Sequence, residues 1–334
     1  MIDVIFLACI FITSLLVLTK GADFLVGGSA DFARFLKISP VMVGLTIVAF
    51  GTSMPEFVVS FISALAGNPD IAIGNVIGSN IANIGLIIGI AALIVPLTVH
   101  SRTLMYEFPI MIIASFLFII LANNMYLFGV QSAGMERIDG FILVVLFVIF
   151  VAYVYNTFKK RNHSSKKEFA KEYKHINPLW KNIGLMTSGI VMLAAGGRLF
   201  VYSASEIARM IGVSEAFIAL TIVSIGTSLP ELFTVVIAAI KKEADIAIGN
   251  IVGSNIFNIL FVLGFTSLFV TLEVNTVMLF FDGIIMLVFT LIFLLFATME
   301  KRINRVEGGI LLFLYIAYVA YLVYSLSNGH PVVP

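Results

Sequence analysis

Cysteine occurs once, at Cys9, which rules out an internal disulfide; in an apolar run it reads as a small core or lipid-facing residue. Charge is scarce as well. Asp, Glu, Lys and Arg make up 12% of the 334 residues, against about a quarter in soluble domains. A net charge of +1 offers no basic surface for nucleic acid. No basic segment precedes the first apolar stretch, so residues 3–19 read as a retained span and not a removed signal. The four histidines (His100, His163, His175 and His330) fall in expected loops or ends. With no HExxH element, phosphate loop or nucleophile–base pair, the chain is not read as an enzyme.

What is present is hydrocarbon. Sixty per cent of the residues are hydrophobic and the mean hydropathy is +1.09. Runs such as VIFLACIFITSLLVL and FPIMIIASFLFIILA carry no charge, and about 20 such residues span a bilayer as helix. The short alternating segments of an outer-membrane barrel are missing. The expected fold is an all-α membrane protein of ten transmembrane helices. In the first half they cover 3–33, 40–65, 71–95, 104–122 and 138–158. In the second they cover 183–208, 216–240, 246–271, 277–297 and 308–325. Residues 159–182 form the only strongly polar stretch, read as a flexible connector with one helical turn at most. Assigned to their nearest connections, seventeen of the twenty Lys and Arg residues fall on the side of that connector. The positive-inside rule then makes the connector cytoplasmic and puts both termini outside a cell membrane.

Adding 175 to a residue number superimposes the two halves. LTIVAFGTSMPE (45–56) meets LTIVSIGTSLPE (220–231), and DIAIGNVIGSNIANI (70–84) meets DIAIGNIVGSNIFNI (245–259). Half the positions from 44 to 97 are identical to their partners. Each half holds five expected spans, an odd number, so residues 1–158 and 183–334 read as repeats of inverted topology, an arrangement characteristic of secondary transporters. The best matching lies in polar residues, which hydrocarbon selects against.

Those residues have a common chemistry. Pro55 cannot donate to the Gly51 carbonyl and crowds it, so the second span is expected to kink or break there, and Pro230 with Gly226 does the same in the seventh. Freed carbonyls at membrane depth must face protein or a wet cavity. Residues 49, 52, 53 and 56 share one helix face, which offers Thr52, Ser53 and Glu56; the partner face offers Ser224, Thr227, Ser228 and Glu231. Asn75, Ser79 and Asn83 line the third span at four-residue spacing, and Asn250, Ser254 and Asn258 repeat them. All are oxygen donors, which suits Na⁺, Ca²⁺ or Mg²⁺ and not zinc or copper. Flexible, carbonyl-rich sites favour Ca²⁺ over Mg²⁺. At equal distance a carboxylate attracts Ca²⁺ about twice as strongly as Na⁺, so two or more Na⁺ are expected to replace one Ca²⁺.

On these motifs the chain resembles the sodium/calcium exchanger branch of the calcium/cation antiporter superfamily, with 44–97 and 219–272 as its paired α-repeats. The resemblance implies alternating access, the first and sixth spans sliding across the other eight. It implies one Ca²⁺ or three Na⁺ in a four-site cluster, the ions being cargo and no cofactor being needed. Glu56 and Glu231 are then shared carboxylates, and the Thr52 and Thr227 carbonyls hold Ca²⁺. Ala49 and Ser224 lend carbonyls to Na⁺, Ser53, Ser228, Ser79 and Ser254 supply hydroxyls, and Asn83 and Asn258 are central amides. Asparagine at 258, where some relatives carry aspartate, is similar to the potassium-independent microbial type. A Ca²⁺/H⁺ antiporter of the same superfamily is the alternative, though its usual GNxxE element is not what stands here. The expected partners are the ions and the lipid bilayer, with no obligatory protein partner, so a monomer is expected.

Other polar positions have plainer readings. Asn75 and Asn250 are open between capping a helix break and binding. Asn80 and Asn255 lie on another face and read as packing. Glu107 and Asp282, matched across the repeat, read as carboxylates reaching the interface, with a place on a proton or ion pathway as the alternative. Asp70 and Asp245 are open between N-capping and ion attraction at an entrance.

Overall fold

The computed structural model describes residues 2–123, 134–164, 177–211, 224–273 and 276–327. It is all-helical apart from four two-residue strands. The helices are α1 (Ile2–Leu36), α2 (Pro40–Thr52), α3 (Met54–Leu65), α4 (Pro69–Ile94), α5 (Ser101–Ala122) and α6 (Arg137–Ser164). They continue as α7 (Leu179–Met210), α8 (Ser224–Thr227), α9 (Leu229–Ile240), α10 (Ala244–Phe269), α11 (Thr276–Glu300) and α12 (Arg305–Ser327).

Eight of these are long and apolar enough to cross a membrane, and α2 with α3, bent by 44°, makes a ninth. The tenth expected span, at 216–240, begins outside the described residues; its described part is α8 and the short apolar α9. The connector is narrower than its polarity implied, since α6 runs on to Ser164 and α7 starts at Leu179. Residues 165–176 lie outside the described residues.

The chain divides into two compact units that cut across its sequence halves. One takes residues 1–55 and 156–250, the other residues 56–155 and 251–334.

The first unit is organised by α1 and α7, of 35 and 32 residues. At about 1.5 Å per residue both outrun a hydrocarbon core of about 30 Å, so they must tilt or protrude. Between such helices lipid leaves no hydrophobic drive, and close packing of small residues takes its place. A Cβ on Gly189 would lie 2.6 Å from the Leu25 amide nitrogen and 2.7 Å from the Gly21 carbonyl oxygen, both backbone atoms. Gly189→Ala is therefore expected to cost about 1–3 kcal/mol, read as a lowered melting temperature of the purified protein. A second close crossing joins α2 to α10, where a Cβ on Gly249 would meet the Val41 carbonyl at 2.6 Å. Ion pairs join Lys241 to Asp23 at 2.6 Å, and Arg34 to both Asp31 and Glu243.

In the second unit the part of α10 from Ile251 onward forms the centre. The most apolar window of α10 is 94% buried and that of α4 72%, against 28–39% for α5, α6, α11 and α12, whose apolar side chains face outward. Phe257, Phe261 and Phe265 follow one another at four-residue spacing along α10, with ring centroids 4.8 and 5.4 Å apart. Phe57 and Phe61 of α3 pack against this ladder, at 5.3 Å from Phe261 and 5.8 Å from Phe265. Aromatic contacts of this kind add about 0.5–1.5 kcal/mol each beyond burial, and they hold the helix that carries Glu56. Two antiparallel ribbons tie the helix ends: β1 (Leu97–Thr98) with β4 (Arg302–Ile303), and β2 (Gly134–Met135) with β3 (Leu272–Glu273). Leu97 and Leu272 are partners under the 175-residue offset, so the two ribbons start from equivalent points.

Candidate cation site

The helix breaks fall where proline and glycine place them. Ser53 separates α2 from α3 with φ −86° and ψ 6°, and Ser228 separates α8 from α9 with φ −89° and ψ 4°. Two serines 175 residues apart thus share one non-helical conformation, each two residues before its proline. The motif residues are withdrawn from solvent: Thr52 and Ser53 are fully buried, and Glu56, Glu231, Ser228 and Thr227 are nearly so.

In the first unit the two GTSxPE copies touch. The Ser53 hydroxyl donates to Glu231 Oε1 at 2.8 Å, across 178 residues of sequence. The Thr52 hydroxyl donates to Asn250 Oδ1 at 3.1 Å. Asn250 thus braces the break in α2. The Ala49 carbonyl accepts the Ser53 N–H at 3.0 Å. Ser224 opens α8, and the LTIV stretch before it lies outside the described residues. Hydrogen bonds to a charged group contribute about 1.5–3 kcal/mol. Ser53→Ala is accordingly expected to raise the half-saturating Ca²⁺ concentration about tenfold or more, read from binding or flux titrations.

In the second unit Asn75 donates to the Glu56 carbonyl at 3.2 Å and to Ser60 Oγ at 2.9 Å. It steadies the first turns of α3, the bracing role that Asn250 has for α2. Deeper in, four asparagines meet, each 1% exposed. Asn83 Nδ2 donates to Asn255 Oδ1 at 2.9 Å, and Asn258 Nδ2 to Asn80 Oδ1 at 3.0 Å. Asn80 and Asn255 also exchange amide-to-carbonyl bonds, both at 3.4 Å. The Oδ1 atoms of Asn83 and Asn258 are buried with no hydrogen-bond partner among the described residues. A buried carbonyl left so costs about 1–3 kcal/mol, and a cation would satisfy it.

Ser79 and Ser254 lie one turn earlier on the same helices and are buried. Both helices widen to π-helix where the central asparagines stand, at Asn83–Ile88 and Asn258–Leu263. Such turns often mark functional positions.

Two readings from sequence change. Asn80 and Asn255 are not mere packing residues but join Asn83 and Asn258 in one hydrogen-bonded group. Their recurrence at the 175-residue offset was the available signal. Glu107 and Asp282 do not reach out to an interface: they are 1% and 7% exposed. Each accepts from a tyrosine on another helix, Tyr153 at 3.0 Å and Tyr318 at 2.8 Å.

Polar side chains buried at paired breaks in an otherwise apolar helical protein mark a multi-pass membrane protein with a polar interior. The chain belongs to the sodium/calcium exchanger protein family, whose model matches residues 6–156 and 181–324. It is an exchanger-type antiporter and not an enzyme, with Na⁺ and Ca²⁺ as transported ions. It is similar to CaxA of Alkalimonas amylolytica, at 40% identity over 95% of this chain and 99% of that one. The sodium/calcium exchanger MaX1 of Methanosarcina acetivorans is 33% identical over 97% of this chain and 100% of its own. Among solved structures, the sodium-calcium exchanger NCX_Mj soaked with 2.5 mM Na⁺ and 0.1 mM Ca²⁺ matches with a TM-score of 0.80. The identity is 31%, over 95% of this chain and 98% of that one.

Proposed function

We propose that the protein exchanges three Na⁺ for one Ca²⁺ by alternating access, through ten spans arranged as two inverted repeats, residues 1–158 and 183–334. The carrying observation is the Ser53–Glu231 hydrogen bond, by which the hydroxyl of one motif copy reaches the carboxylate of the other in a site withdrawn from water. The reciprocal asparagine bonds and the matched ribbons support the repeat. Glu56 and Glu231 carry the charge that a divalent ion neutralises. Thr52, Thr227, Ala49 and Ser224 contribute backbone carbonyls, and Ser53, Ser228, Ser79 and Ser254 contribute hydroxyls. Asn83 and Asn258 supply the amide oxygens. The glycine seam supports movement of α1 and α7 as one piece. The connector is cytoplasmic and both termini are outside a cell membrane, on the distribution of Lys and Arg. The protein works as a monomer, since a single chain supplies both halves of the donor set.

One net charge moves per cycle, so the exchange couples to voltage by about 2.3 kcal/mol per 100 mV if the whole field is crossed. Proteoliposomes loaded with Na⁺ and diluted into Na⁺-free medium are expected to accumulate ⁴⁵Ca²⁺, and a sodium ionophore to stop them. Uptake that survives collapse of the Na⁺ gradient would refute sodium coupling. Uptake driven by a proton gradient without Na⁺ would identify the Ca²⁺/H⁺ alternative.

A further inference from the structure

Asn83 and Asn258 present a geometric problem that the exchange reading leaves unsolved. A primary amide carries donors on nitrogen and an acceptor on oxygen, on opposite edges of one plane. Rotation about its last side-chain bond is soft and roughly two-fold. A free asparagine would therefore turn N–H groups towards a cation as readily as oxygen. In this protein both nitrogens are held. Asn83 Nδ2 is bonded to Asn255 Oδ1 at 2.9 Å, and Asn258 Nδ2 to Asn80 Oδ1 at 3.0 Å. Each amide oxygen is buried without a partner among the described residues.

Asn80 and Asn255 are themselves locked. Each donates its Nδ2 to the other's backbone carbonyl at 3.4 Å, which leaves its own Oδ1 as an acceptor. Asn80 Nδ2 also lies 3.6 Å from Met286 Sδ. A flipped Asn255 amide would point N–H at the N–H of Asn83, and the same holds for Asn80 and Asn258. The four side chains thus have one mutually consistent arrangement, and in it both outer oxygens remain for an ion.

We propose that Asn80 and Asn255 are positioning residues that hold the Asn83 and Asn258 amides nitrogen-inward, so that both oxygens stay available as cation ligands. This rests on the exchange reading above and adds to it two residues that touch no ion. Because each clasp links α4 to α10, the donor set of one helix is kept in order by the other.

The test is a double-mutant cycle in proteoliposomes, read as the Na⁺ and Ca²⁺ concentrations that half-drive ⁴⁵Ca²⁺ uptake. Asn255→Ser, too short to hold the Asn83 amide, is expected to raise them about tenfold, the scale at which loss of an outer partner weakens a metal ligand. In an Asn83→Ala background the same substitution is expected to shift them less than about twofold, because no amide remains to be held. A further tenfold loss in that background overturns the proposal, since Asn255 would then act through packing. The mirror cycle, Asn80→Ser with Asn258→Ala, decides the matter if the first pair does not fold. The ion-induced rise in melting temperature supplies a readout independent of transport: it shrinks in Asn255→Ser and does not shrink further on adding that change to Asn83→Ala. A wild-type protein that takes up no Ca²⁺ under a Na⁺ gradient defeats the exchange reading. Normal exchange with an additive cycle defeats only the positioning role.

Discussion

Glu231→Gln is expected to abolish Na⁺-driven Ca²⁺ uptake, with a loss of at least about a hundredfold in proteoliposome flux. The substitution preserves shape. Glutamine keeps an oxygen that can accept the Ser53 hydroxyl, now 2.8 Å from Glu231 Oε1, so the helix break need not rearrange. What disappears is one negative charge in a site 1% exposed. Two unit charges 4 Å apart interact by about 4 kcal/mol at an effective dielectric constant of 20, and a divalent ion doubles that. Even with half of this offset by not having to desolvate the carboxylate, the remainder exceeds the 2.7 kcal/mol that corresponds to about a hundredfold. Glu56→Gln should behave alike, since the other carboxylate occupies the equivalent place in the repeat. Uptake within about threefold of wild type in either variant would show that its carboxylate is not a ligand.

Asn258→Asp is expected to give transport a pH dependence that the wild-type protein does not share. Asn80 Oδ1 accepts from Asn258 Nδ2 at 3.0 Å, so an aspartate there faces an acceptor with one of its oxygens. Protonated, it donates to Asn80 and keeps a carbonyl oxygen outward, reproducing the asparagine pattern. Deprotonated, it sets two acceptors against each other and adds a third carboxylate to the donor set, which retains Ca²⁺ and slows its release. Transport should therefore approach the wild-type rate at acid pH and fall by about tenfold or more as pH rises through the range where the aspartate ionises. A K⁺-dependence would be a further sign of the added charge. Measured from pH 5.5 to 8.5 with a fixed Na⁺ gradient, a profile parallel to wild type would remove residue 258 from the ions.

The parts of this protein that could be read from sequence are those where hydrocarbon forbids a bland explanation. Pro55 and Pro230 in apolar spans foretold breaks, and the structure breaks the helices at Ser53 and Ser228 with nearly the same dihedral angles. The spans on α1, α4, α5 and α10 fall within a few residues of their hydropathy limits. Asn80 and Asn255 were misread because four-residue spacing is only one of the two that bring helical side chains together; each stands three residues before a central asparagine, Asn83 or Asn258, in regular α-helix. Glu107 was misread because a position early in a span says nothing of a tyrosine arriving from another helix, as Tyr153 does.

By itself, then, the sequence determined the environment, the number of oxygen donors and their duplication, because a lipid solvent penalises every polar group and so makes each one informative. Only the tertiary structure decided which donor meets which. Ser53 with Glu231, Thr52 with Asn250 and Asn83 with Asn255 are pairs 178, 198 and 172 residues apart. Their hydrogen bonds depend on helix register to a fraction of an ångström, and that register is set by glycine contacts, π-turns and the phenylalanine ladder of α10, not by any local pattern of residues.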